Sequence, residues 1–156
     1  MISERFVEFL ENENVGISIA TRNGELSPTI GKPLDVRVSK DRKNITFYMP
    51  KVMLRNHLDN LLDNGKVALN VGAIPSHETY QFKGGYLSHH DCDAEDIEGI
   101  RRMLAKYKIG LSRFGMPDEQ LSIVDKYNIE PSIGITFEVQ EIFEQTPKPG
   151  TGNKIN

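Results

Sequence analysis

The stretch FYMPKVMLRNHLDNLLDNGKVALNV, Phe47 to Val71, changes rhythm twice. A strand-like run, ITFYM from Ile45, stops at Pro50. From Val52 to Asn64 the residues Leu54, Leu58, Leu61 and Leu62 recur at i, i+4, i+7 and i+8, which is the stripe of one helix. Gly65 suits a left-handed stop, and KVALNV then alternates Val67, Leu69 and Val71 along a further strand. The passage therefore reads as strand, helix, strand. Its helix opens with Lys51, Arg55 and His57, although the free N–H groups and dipole of a helix start are already positive. Lys51 and Arg55 share a face at i, i+4, and His57 follows half a turn on, so a bound anion is one reading. The other is a solvated basic face on a helix that packs through its leucines.

Upstream, Ser3 is an N-cap for a short amphipathic helix carrying Phe6, Val7 and Leu10. VGISIAT then alternates Val15, Ile17 and Ile19 with Gly16, Ser18 and Ala20, giving a strand with one apolar and one unusually small face. Small side chains let a flat ligand or another backbone approach. Asn23-Gly24 predicts a tight reversal into LSPTIGKPLDVRVS. There Pro28 and Pro33 lack ladder donors, so a bulged or edge stretch is expected around Thr29 to Lys32.

Downstream, a fifth strand is predicted from about Thr79 to Leu87. A helix capped by Asp93 carries Ile97, Ile100, Met103, Leu104 and Tyr107, and a second opens at PDEQLSIVDKY. The last strand, SIGITFEVQEIF, slips in parity at Ile142 and Phe143, which predicts a bulge or strand end. The sum is mostly β with helices: a six-stranded antiparallel barrel with peripheral helices and a helical insertion over about 93–127. A doubly wound parallel sheet would need strict strand and helix alternation. With no repeat and no linker, residues 1–156 read as one domain.

Composition narrows the function. At 156 residues, 38% hydrophobic and 26% charged, the chain is of ordinary globular type. A net charge of -3 and the absence of Trp argue against an oligonucleotide-binding barrel or an anionic-membrane surface. The single Cys92 excludes an intramolecular disulfide and a thiolate metal cluster within one chain. His89, His90, Asp91 and Cys92 are adjacent, so in extended backbone they diverge, and the expectation is a polar strand-to-helix connection with no metal. PGTGNK lacks the spacing of a phosphate loop, and no nucleophile elbow is present. The glutamates in MISERFVEFLENEN and the lack of an apolar run of about 20 residues lead us to expect a cytoplasmic protein.

Taken together, GISIATRNGELSPTIGKPL, ITFYMPK, LDNLLDNGKVALNV, ETYQFKGGYL and IFEQTPKPGTG resemble, in order and spacing, the pyridoxamine 5'-phosphate oxidase-like family of FMN-binding split barrels. The likeness runs from about Phe6 to about Gly152. It implies a homodimer with FMN in a groove at the subunit interface. It places Arg55 and His57, with Lys51, at the FMN phosphate. It sets Ser27, Pro28, Thr29 and Ile30 on the strand bordering the isoalloxazine ring, and Tyr48 and Met49 at a further contact. Either Thr79 or Gln81 supplies a hydroxyl or amide.

The family's enzymes pass hydride or electrons to small molecules through the flavin. No side chain here identifies itself as a general acid or base. The substrate-phosphate arginine and histidine of true pyridoxamine phosphate oxidases are replaced by a tail with Gln145, Thr146 and Lys148. The expectation is an FMN-dependent oxidoreductase of another substrate. Its rivals are a non-catalytic flavin, deazaflavin or haem carrier on the same barrel, the last through His89 or His90.

Overall fold

The computed structural model describes residues 1–12, 15–74 and 76–155. Helix α1 (Glu4–Asn12) precedes strands β1 (Val15–Arg22), β2 (Pro28–Gly31), β3 (Asp35–Val38) and β4 (Asn44–Pro50). A 3-10 turn (Lys51–Met53) and helix α2 (His57–Asn64) lead into β5 (Lys66–Ala73) and β6 (Thr79–Asp91). Helices α3 (Ala94–Arg113) and α4 (Asp118–Leu121) and a 3-10 turn (Val124–Lys126) come before β7 (Ser132–Glu144).

The strands form one antiparallel sheet of seven strands, ordered β2-β1-β5-β6-β7-β4-β3. The count is seven and not the expected six, because the stretch holding Pro28 and Pro33 is two strands. Pro33 has no N–H to give a ladder, and on either side of it β2 pairs with β1 while β3 pairs with β4. These two strands are the opposite edges of the sheet. Laid flat, seven strands at about 4.8 Å spacing would separate the edges by about 29 Å. The link from Gly31 to Asp35 reaches at most about 14 Å. The sheet must therefore curl until its two edges lie within that reach, which makes it a barrel left split between β2 and β3.

The inner face is the alternating apolar set read from the sequence. Ile19, Ile45, Phe47, Met49, Leu69, Phe82 and Ile135 are fully buried there. A second cluster, Leu34, Tyr48, Ile97 and Ile100, lies on the outside of the barrel beneath α3. Asp93 begins α3 with a capping box: its carboxylate accepts from the Asp96 N–H at 2.9 Å, and the Asp96 carboxylate accepts from its own N–H. The helix runs on to Arg113, past the predicted stripe.

Three local readings change. The helix expected over Val52 to Asn64 is broken into the 3-10 turn and α2, because Arg55 between them has φ +46°. Leu62, out of phase with the shortened helix, is exposed. Strand β6 continues to Asp91, with Leu87 bulged outwards, so the histidine pair belongs to the sheet. In β7 the irregularity falls at Gln140, opposite Lys83 and Gly84, just ahead of the parity slip at Ile142. The described tail packs back on the sheet, where Phe143 pairs with Lys154 and the Ile155 N–H donates to the Ile142 carbonyl at 2.9 Å. Among the described residues, no helix is long and apolar enough to cross a membrane.

Candidate functional site

The outer face of β1, β5 and β6 is built from small and polar side chains in register. Ser18 faces Asn70, which faces Gln81; Gly16 faces Gly72, which faces Thr79; Ala20 faces Ala68, which faces Lys83. Strand β2 extends this face at the open edge, with Ile30 opposite Ala20 and 65% exposed. The Asn23 N–H donates to the Ser27 carbonyl at 3.1 Å, and Thr21 and Ile19 pair with Thr29 and Gly31. The alternation of an antiparallel ladder then turns the N–H and C=O of Ile30 away from β1, towards the open edge. The expected irregular strand is thus an edge strand, and its free groups follow from pairing on one side only.

A cavity of about 430 Å³ lies against this edge. One wall is Ile30, Gly31 and Lys32, another is Val52, Met53 and Arg55, and Ser18 closes it towards the sheet face. Arg55 is exposed and makes no hydrogen bond or ion pair with any described residue. Its left-handed backbone costs about 1–2 kcal/mol. The conformation is imposed by a tight join, in which the His57 N–H donates to the Leu54 carbonyl at 2.9 Å. Lys32 Nζ donates to the Tyr107 hydroxyl at 3.1 Å and sits 4.6 Å above that ring, so its charge is held in place without a carboxylate.

The other candidate residues are placed differently. Lys51 Nζ pairs with Asp91 Oδ1 at 2.6 Å, and this partner holds the Asp91 carboxyl below its ordinary range. His57 is fully buried within a polar layer between α2 and the strands. Its Nδ1 lies 3.0 Å from Thr21 Oγ1, and Asn60 Nδ2 donates to Thr21 Oγ1 at 3.0 Å and to Thr29 Oγ1 at 3.3 Å. Its Nε2 has no partner and faces Gly31, where a Cβ would come within 2.5 Å of it. Burial, and then the Arg55 charge, push the His57 pKa down, so the ring is a neutral wedge behind the cavity wall.

Met49 is in the barrel core, and Tyr48 lies beneath α3 with the Arg37 guanidinium 4.4 Å above its ring. Burial pushes the Tyr48 phenol well above its ordinary range. Ser27 and Pro28 are exposed on the hairpin. Thr79 and Gln81 share the small-residue face, two strands from β1. The fold thus gathers Ile30 and Arg55 at one cavity, with Thr29 and His57 behind it, and sends Lys51, Tyr48 and Met49 elsewhere. Sequence reasoning missed Lys32 and Ser18. The small face of β1 was the available signal for Ser18.

The polar end of β6 is tied up locally. The Tyr86 hydroxyl and His89 Nδ1 are 2.6 Å apart, and His90 Nε2 is 3.0 Å from Asp96 Oδ2. Among the described residues no three His, Cys, Asp or Glu side chains are grouped to hold a metal ion.

No family model matches this chain, and no curated protein does. Solved structures do. HupZ from group A Streptococcus aligns with TM-score 0.56 at 18% identity, over 98% of this chain and 99% of its own. A candidate pyridoxamine 5'-phosphate oxidase from Lactobacillus delbrueckii aligns with TM-score 0.55 at 16% identity, over 91% of this chain and 93% of its own. An FMN-binding protein from Syntrophomonas wolfei aligns with TM-score 0.51 at 11% identity, over 88% and 84%. At these identities the likeness is one of fold: the chain has the pyridoxamine 5'-phosphate oxidase-like split barrel.

Proposed function

We propose that this protein binds FMN in the cavity at the β2 edge and acts as a flavin-dependent oxidoreductase on a small-molecule substrate. The observation that carries the reading is Arg55, a cation without a carboxylate, held at a cavity by backbone in the left-handed region. The residues present fit such a cofactor. Arg55 and Lys32 offer two positive charges to a phosphate dianion. The outward N–H and C=O of Ile30 offer a donor and an acceptor to a planar, amide-like ring edge. The sheet face at Gly16, Ser18 and Gly72 has no large side chain to lift a ring away.

Bound flavin would supply hydride or electron transfer, while the chain's own residues bind, orient and exclude water. In the homodimer that belongs to this reading, Ile30, Val52 and Met53 form the apolar rim of the interface, and Thr79 and Gln81 lie on the face turned towards it. The fold of the Syntrophomonas wolfei protein, which is described as FMN-binding, supports the cofactor.

The test is direct. The purified protein should carry, or take up from added FMN, the visible absorption bands of a flavin and release FMN on denaturation. A colourless protein that leaves the fluorescence of added FMN unquenched rejects the reading.

A further inference from the structure

A second cavity, of about 480 Å³, opens on the same sheet face beyond Ile30. Its floor is Ala20 and Ala68, which face each other across β1 and β5. Around that floor stand Arg22, Lys66 and Lys83, one from each of three adjacent strands. Lys83 is opposite Ala68, and continuing the β1–β5 register two residues beyond Ala20 sets Arg22 beside Lys66. Side chains so placed share a face with Cβ atoms about 5 Å apart, and like charges there repel. Among the described residues none of the three has a carboxylate within ion-pair distance. Glu141, opposite Lys83 and also in the cavity wall, is taken by Lys154 at 3.1 Å, while Lys83 Nζ turns 4.5 Å above the Phe143 ring.

The hairpin tip adds an independent feature. Leu26 holds φ +65° and remains 70% exposed at the cavity rim. The Asn23 side chain fixes it there by accepting from the Glu25 N–H at 3.0 Å and the Ser27 N–H at 2.9 Å. A large apolar residue in left-handed backbone therefore stands exposed at the edge of a cationic bowl.

We infer that this bowl is a second oxyanion site, which takes a dianionic group of the phosphate or sulfate class carried by a small molecule whose apolar body rests on Leu26. Three cations from three strands match a dianion; a carboxylate would leave two of them repelling. The site is separate from the Arg55 cavity and stands whether or not flavin binds.

The experiment titrates the 15N-labelled 156-residue protein with sodium phosphate, sulfate or acetate at constant ionic strength. Phosphate and sulfate are expected to shift the Ala20, Ala68 and Gly84 amides saturably, and acetate to leave them unmoved. R55A should retain that response, which separates it from the flavin reading. The R22A/K66A protein should bind at least tenfold more weakly while its core amides at Ile19 and Phe82 stay in place. Should the double variant fail to fold, K66E, at an exposed position, carries the same expectation. Non-saturating shifts shared with acetate, saturable binding untouched by these substitutions, or loss of the response in R55A would each overturn the inference.

Discussion

Arg55 and His57 are two residues apart, yet they do opposite things. Arg55 is an unpaired charge in solvent, so its removal costs the fold little, whereas a bound phosphate loses a charge-assisted bond of about 1.5–3 kcal/mol. R55A should therefore weaken FMN binding about 10- to 100-fold by fluorescence titration and shift the melting temperature by less than about 2 °C. Equal losses in both would make the arginine structural. His57 belongs to the interior, and its folded pKa lies below the unfolded value near 6.5. As pH falls through that unfolded value, the unfolded chain takes up a proton that the folded chain refuses, so stability present at neutral pH is lost on acidification. Melting curves at pH 7.5 and 5.5 should show a larger drop for the native protein than for H57Q. G31A tests the same contact from the strand side. The added methyl meets the ring nitrogen at 2.5 Å, so a cost of about 1–3 kcal/mol in urea unfolding is expected.

At the scale of elements, α3 depends on its first turn. Asp93 and Asp96 cap each other's backbone, and Asp96 also receives Arg37 at 3.0 Å and His90, tying the helix start to β3 and β6. Burial opposes ionisation of Asp96, but His90, the Asp93 cap contact and Arg37 outweigh it and hold the carboxyl below its ordinary range. D93A should lower the melting temperature by about 2–4 °C, the effect of losing about 1 kcal/mol from a cap in a domain of this size. Faster amide exchange should be confined to the first turns of α3.

Across the whole molecule, the strand faces were legible because period-two alternation is local: Ile17 and Ile19 on one side, Ser18 and Ala20 on the other. The Asp93 cap and the Gly65 stop were legible for the same reason. What was hidden is non-local. That Pro33 divides two strands destined for opposite edges depends on partners elsewhere in the chain, and the pairing of Lys51, just after β4, with Asp91, at the end of β6, crosses β7. Nothing in an arginine announces left-handed backbone, so the break in the helix, and with it the exposure of Arg55 and burial of His57, was unreadable. Assembly belongs to this scale too. Ile30 (65% exposed), Val52 (73%) and Met53 (38%) ring one cavity. Light scattering should give about twice the 17.6 kDa chain mass for the native protein and close to the single-chain mass for I30E. A native protein running as a monomer would end the interface reading.

Lys32 stands on the three-residue link that draws the two sheet edges together, and it also lines the Arg55 cavity. Its flexible four-carbon stem lets the ammonium turn towards a guest while the backbone stays in place. One residue thus joins the two features: its side chain borders the hollow, and its main chain carries the closure.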